Sequence, residues 1–171
     1  MHRPLYFAFA LTLLFAAPAG AGEDEPIFAP GDHCVAYRTL KNMWFGSEVE
    51  VIGRSCEVDA KLVPADGETG AHIVVSVPVK SLHSGNVLRN GTVADLLGVK
   101  LQPDLRFTSD AIDVAALRGP LASGGFVLPG TLSIGEKPYP VAFPLEIAGQ
   151  GDARTISGRL DTTFAAFDIE V

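Results

Sequence analysis

The chain has 171 residues and a formal net charge of −7, with 13 Lys and Arg against 20 Asp and Glu. An acidic balance argues against a phosphate-backbone binder, which needs a basic footprint, and otherwise bears on solubility rather than fold. The length suits one domain with its own core, and the only cysteines, Cys34 and Cys56, allow a single bridge.

At the N-terminus, Met1-His2-Arg3 precede an apolar run from Leu5 to Ala17 and then the small residues Ala19, Gly20 and Ala21. This is the pattern of a cleaved secretory signal. The run is too short to cross a bilayer core of roughly 30 Å comfortably. The organisation read from the chain is a signal peptide over 1–21, a flexible leader over 22–32 that is rich in acids, prolines and glycines, and one β domain over 33–171. Export to the periplasm or the medium places the cysteines where a disulfide persists. A hairpin turning near Phe45 leaves Cys34 and Cys56 equidistant from the turn and opposite one another, so they are expected to pair.

From His33 onward the apolar side chains recur with a period of two, the mark of strands with one buried face. Strands are predicted over 33–40, 47–52, 56–63, 71–80, 104–113, 125–134, 139–148 and 154–165, about eight in all; 47–52 and 56–63 also read as one strand bent at Gly53. The clearest is the seventh, where Tyr139, Val141, Phe143, Leu145 and Ile147 alternate with Pro140, Ala142, Pro144 and Glu146. Pro140 and Pro144 share parity and delete donors from the same seam, which should be weak there. The long break after Lys80 holds one short helix near 87–98. Thr92-Val93-Ala94-Asp95 has the shape of a capping box and Gly98 of a stop, while Asn90-Gly91 reads as a turn that limits upstream extension. The fold class is all-β and antiparallel.

No nucleophile elbow, phosphate loop, zinc-protease or dinucleotide motif is present. His33, His72 and His83 have no ligand spacing to one another, so no metal is expected. His83 and Ser84 are neighbours in sequence, a poor geometry for base and nucleophile, and no catalytic residue is assigned. What remains is an apolar face, whose inward positions are Tyr37, Val75, Val77, Phe107, Phe126, Leu128, Leu132, Val141, Phe143, Leu145, Leu160 and Phe164. Closed into a barrel, about eight strands enclose either a filled core or room for one small apolar ligand. The pattern alone leaves both readings open.

Two stretches carry a resemblance. One runs from Ser81-Leu82-His83-Ser84-Gly85-Asn86-Val87-Leu88-Arg89-Asn90 on to Leu105-Arg106-Phe107-Thr108-Ser109. The other is Gly130-Thr131-Leu132-Ser133-Ile134-Gly135 leading into Pro138 and Pro140-Val141, with Phe164 to Ile169 as a closing segment. Together they resemble the YceI-like family of secreted polyisoprenoid-binding proteins. The resemblance implies a lipocalin-like barrel around an isoprenoid chain, such as a prenyl quinone or polyprenyl tail, as ligand rather than cofactor, with contacts at Phe107, Leu132, Val141 and Phe143. It implies a non-catalytic carrier that takes an apolar small molecule, without nucleic acid or stable membrane insertion, with a homodimer left open. Family members usually have Arg-Asp where this chain has Arg89-Asn90. The alternatives are a packed structural or interaction barrel and a small outer-membrane barrel.

Overall fold

The computed structural model describes residues 4–14, 33–42, 48–65, 70–113, 125–150 and 153–170. Nine strands follow one another: β1 (Pro4–Leu14), β2 (Cys34–Asn42), β3 (Glu48–Ser55), β4 (Asp59–Pro64), β5 (Ala71–Pro78), β6 (Asp104–Ser109), β7 (Phe126–Ile134), β8 (Lys137–Gln150) and β9 (Ala153–Thr163). Helix α1 (Val87–Leu96) lies between β5 and β6, and short 3₁₀ turns occupy Val79–Ser81 and Phe164–Phe167. All pairings are antiparallel, in the order β3-β2-β1-β9-β8-β7-β6-β5-β4.

The two ends of that order, β3 and β4, are consecutive strands separated only by 56–58. The chain therefore passes from β3, paired with β2, to β4, paired with β5, within a few residues, and continuity of the backbone brings the sheet's ends together in a barrel-like wrap. A backbone pair reinforces the join: Arg54 N–H donates to the His83 carbonyl at 3.0 Å and His83 N–H to the Arg54 carbonyl at 2.9 Å. The break thus falls at 56–58 and not at Gly53. Gly53 stands opposite Tyr37 in the β2–β3 ladder, and a Cβ there would collide with the Tyr37 ring. The glycine makes room for an aromatic ring; it does not bend the strand.

The β2–β3 ladder runs from Val35↔Ser55 to Asn42↔Glu48, the register of a hairpin centred near residue 45. One position beyond it, Cys34 and Cys56 form the expected disulfide, with their Cα atoms 4.1 Å apart. The expected weak seam is also present. β8 pairs with β7 along its whole first half, including Thr131↔Pro140 and Val127↔Pro144, but with β9 only from Leu145 onward. A proline fits a ladder where its nitrogen faces away from the partner, so the missing donors fall on the β9 side, and that ladder stops where the prolines begin.

One strand stops well short of its expected end, and the helix, within its expected 87–98, is capped differently. β6 ends at Ser109 instead of reaching 113. The Ser109 hydroxyl accepts from Ile73 N–H at 2.8 Å and donates to the Asp110 carbonyl at 2.8 Å, so a side chain takes over the place of a strand partner. α1 begins upstream of the expected capping box and runs through Asn90-Gly91; its cap is Asn86, whose Oδ1 accepts from Arg89 N–H at 3.1 Å. Thr92 lies inside the helix, its hydroxyl donating to the Leu88 carbonyl at 3.2 Å, and the helix stops as expected before Gly98, at φ 72°.

The segment read as a secretory leader forms β1 in the full chain. It lies antiparallel to both β2, with Phe7↔Tyr37, and β9, with Phe7↔Leu160. β2 and β9 therefore run parallel to each other across it. The eight strands β2–β9 match the number expected of the domain.

Candidate apolar site and its polar end

The period-two pattern sends one face of nearly every strand into a single cluster. Its buried members include Tyr37, Val75, Val77, Phe107, Leu128, Leu132, Phe143 and Leu145, and Phe126, Val141, Leu160 and Phe164 pack against it partly buried. All twelve positions expected to line the interior are thus together. The ladder register sets Val75 beside Phe107, Phe107 beside Leu132 and Leu132 beside Tyr139. These four form one row across β5, β6, β7 and β8. Phe143 meets Phe107 edge to face, with ring centroids 5.1 Å apart, a favourable aromatic geometry. Gly130 lies under this pair, and a Cβ on it would run into Phe107 and the Thr108 carbonyl.

Val35, Val51, Leu82, Leu97 and Phe167 also belong to the buried cluster but were not among the twelve. Leu97 follows α1, Leu82 follows the first 3₁₀ turn and Phe167 lies in the second, where no two-residue period exists to reveal them. Phe167 is fixed from β8: the Tyr139 hydroxyl donates to its carbonyl at 2.8 Å, and the two rings meet edge to face at 5.2 Å.

Beneath α1 the inner face changes character. Ser55 ends β3 on the same face as Val51 and Gly53, and Ser81 ends the first 3₁₀ turn. Their hydroxyls form a directed chain: Glu57 N–H donates to Ser55 Oγ at 3.0 Å, Ser55 Oγ lies 2.6 Å from Ser81 Oγ, and Ser81 Oγ donates to the Pro78 carbonyl at 2.7 Å. Because Ser81 spends its hydrogen on Pro78, Ser55 is the donor between them. Asn90 reaches back from α1, and its Oδ1 accepts from both Ser84 N–H at 2.9 Å and Ser84 Oγ at 2.8 Å, while its Nδ2 lies 3.3 Å from His83 Nδ1. Asn90 therefore ties the helix to the segment after β5 through its amide oxygen and forms no ion pair with Arg89.

Tyr37, taken from the sequence as apolar lining, contributes a hydroxyl to this end. The residue is 3% exposed, with the Ser84 hydroxyl and the Arg89 charge as its polar neighbours. Burial pushes the phenol above its ordinary pKa, with the neighbouring Ser84 hydroxyl and the Arg89 charge drawing it partly back. Tyr37 is accordingly a protonated donor at neutral pH.

Among the described residues the buried polar side chains are His33, Ser55, Ser81 and Ser109, with no carboxylate, lysine or arginine. His72 Nδ1 lies 2.7 Å from the Ser109 carbonyl, and His83 is exposed. No group of three or more metal-ligating side chains occurs among the described residues.

Residues 33–171 match the family described as the YceI-like domain. No curated protein sequence matches the chain. Among solved structures, Burkholderia cenocepacia BcnA is 16% identical, with a TM-score of 0.49 over 91% of this chain and 96% of its own. A Campylobacter jejuni YCEI protein that crystallizes with large solvent channels is 11% identical, with a TM-score of 0.42 over 86% of this chain and 92% of its own.

Proposed function

This chain belongs to the YceI-like domain family, and on that premise we propose that it is a non-catalytic exported binder or carrier of a long apolar molecule, a polyisoprenoid, prenyl quinone or related lipid. The observation that carries the reading is the single inward cluster that gathers the apolar faces of β2, β3 and β5–β9. Each methylene buried against such a surface contributes about 0.8 kcal/mol. About ten of them offset much of the ~4–15 kcal/mol cost of association, so a medium-length chain binds usefully even with few polar contacts.

The outward positions speak against an outer-membrane barrel. Glu50, Arg54, Arg106, Glu146, Arg159 and Asp161 are exposed or partly exposed on the faces opposite the cluster, where a lipid-facing strand would be apolar. Periplasmic or secreted localisation follows from the leader pattern, and the natural partner is the apolar ligand itself.

The test is expression from the full reading frame, purification from the periplasm without detergent, and native followed by denaturing mass spectrometry. A stoichiometric adduct released as a prenyl quinone or polyprenol is the expected result, on a chain beginning near Gly22. Phe143→Asp places a charge in the Phe107 contact and should abolish retention. A folded Phe143→Asp variant that still carries lipid, or a wild-type protein that never does, overturns the reading in favour of a packed barrel.

A further inference from the structure

The disulfide lies on the outer wall, and its two sulfurs stand in different surroundings. We propose that the bridge between Cys34 and Cys56 is a thiol-exchange site, attacked at Cys56 by a thiolate of a dithiol reductant and losing Cys34 as the leaving thiolate, and that its opening loosens the join at 56–58. This chemistry is independent of what the barrel holds.

Strand alternation places the bridge outside. Val35 and Tyr37 of β2 and Val51 and Ser55 of β3 are buried, so the alternate positions Cys34, Ala36, Arg54 and Cys56 face outward, partly or fully exposed. Cys56 is the more open of the two cysteines, and an attacking thiolate reaches its sulfur more readily. Charge selects the same direction. Arg54 stands opposite Ala36 in the β2–β3 ladder and so lies diagonal to Cys34, and its Nη2 donates to Cys34 Sγ at 3.1 Å. A guanidinium on that sulfur favours it as a thiolate, and a sulfur stabilised as its thiolate leaves faster in exchange. Cys56 is followed instead by the exposed acid Glu57.

In the first step the incoming sulfur bonds to Cys56 Sγ while the bond between Cys56 and Cys34 breaks, and the bonding pair departs on Cys34 Sγ. The second thiolate of the reductant then attacks its own sulfur in the mixed disulfide and Cys56 leaves. The reductant ends as a disulfide and both cysteines as thiols, the two protons of the dithiol reaching them through water. The bridge adjoins Ser55, whose hydroxyl lies 2.6 Å from that of Ser81, and Arg54, whose backbone pairs with His83. Opening it therefore frees the end of β3 where that strand meets the segment after β5.

The test exposes the oxidised full chain briefly to glutathione, quenches in acid, blocks freed thiols with N-ethylmaleimide and maps the adduct by peptide mass spectrometry. Glutathione should sit on Cys56 and the maleimide on Cys34, a result that needs no variant. Reduction by dithiothreitol is then timed in the wild type, Arg54→Gln and Arg54→Lys, with Arg106→Gln on the outer face of β6 as control and circular dichroism to verify each fold. Arg54→Gln should slow reduction by roughly three- to tenfold and spread glutathione over both cysteines, while Arg54→Lys keeps most of the rate and Arg106→Gln stays within about twofold. Glutathione chiefly on Cys34, a folded Arg54→Gln that reacts at the wild-type rate, or a bridge that yields only in denaturant overturns the exchange site. In the reduced chain, amide exchange at Arg54 and His83 should rise while β6 and β7 hold; an unchanged pattern overturns the loosening of the join.

Discussion

Across β5, β6, β7 and β8, Val75, Phe107, Leu132 and Tyr139 stand in one ladder row, each placed there by the alternation of its own strand. Under α1, Tyr37, Ser55, Ser81 and Ser84 come from two strands, a 3₁₀ turn and a loop, and meet only because the sheet wraps round at 56–58. The wall is a repeated local rule, so its stability is spread over many methyl and ring contacts. The polar end is a single assembly with specific partners, so it is held by one disulfide, one backbone pair at Arg54 and His83, and one amide at Asn90. Loss of a wall residue should register as lost packing, and loss of a polar-end residue as lost placement.

Phe143→Ala should give the largest effect on the wall, about 3–5 kcal/mol by urea denaturation, because it removes a buried ring and leaves a cavity beside Phe107. A cost below 1 kcal/mol would mean that the wall is loosely filled around that ring. The double substitution Cys34→Ser with Cys56→Ser comes next. Opening a bridge with a sequence separation of 22 should cost about 3 kcal/mol and speed amide exchange at Arg54 and His83 more than in β6 and β7, whereas uniform exchange would break the distinction between the two regions. Asn90→Ala strips two acceptor contacts from Ser84 and should cost about 1–2 kcal/mol. Asn90→Asp keeps an acceptor oxygen in place and should stay near wild type; equal losses in both would remove the amide oxygen from its assigned role.

The smallest effect is in pH. Burial raises the Tyr37 phenol above its ordinary value, so the folded chain keeps that proton to higher pH than the unfolded chain does. The contribution is whole below about pH 10 and is lost as pH rises through the folded value. Tyr37→Phe should therefore flatten the alkaline fall in stability, leaving the part due to Tyr139, whose phenol desolvation also raises. An unchanged slope would place the Tyr37 phenol in contact with solvent.

Much of the wall was legible because a strand's side chains alternate whatever surrounds it. Tyr139 through Ile147 announced their face without reference to any partner, and a turn near residue 45 was enough to set Cys34 against Cys56. The helix was legible in existence and extent but not in its cap. The cap at Asn86 wins over the box at Thr92 because Asn90 is held by Ser84, a contact across six positions of chain that only the folded loop brings close. Leu82, Leu97 and Phe167 stayed hidden for the same reason, lying on turns and helix ends where no period marks the inward side.

By itself the amino-acid sequence determined an antiparallel, all-β chain with one apolar face, a leader-like N-terminus, one disulfide and no catalytic or metal motif, since each of these rests on local pattern or spacing. Tertiary structure alone decided that β3 and β4 part company at 56–58, that Gly53 serves the Tyr37 ring, that residues 4–14 lie between β2 and β9 in the full chain, and that the Tyr37 phenol is buried. Those features depend on which strands become neighbours, and hydrogen-bond partners and burial exist only once they have.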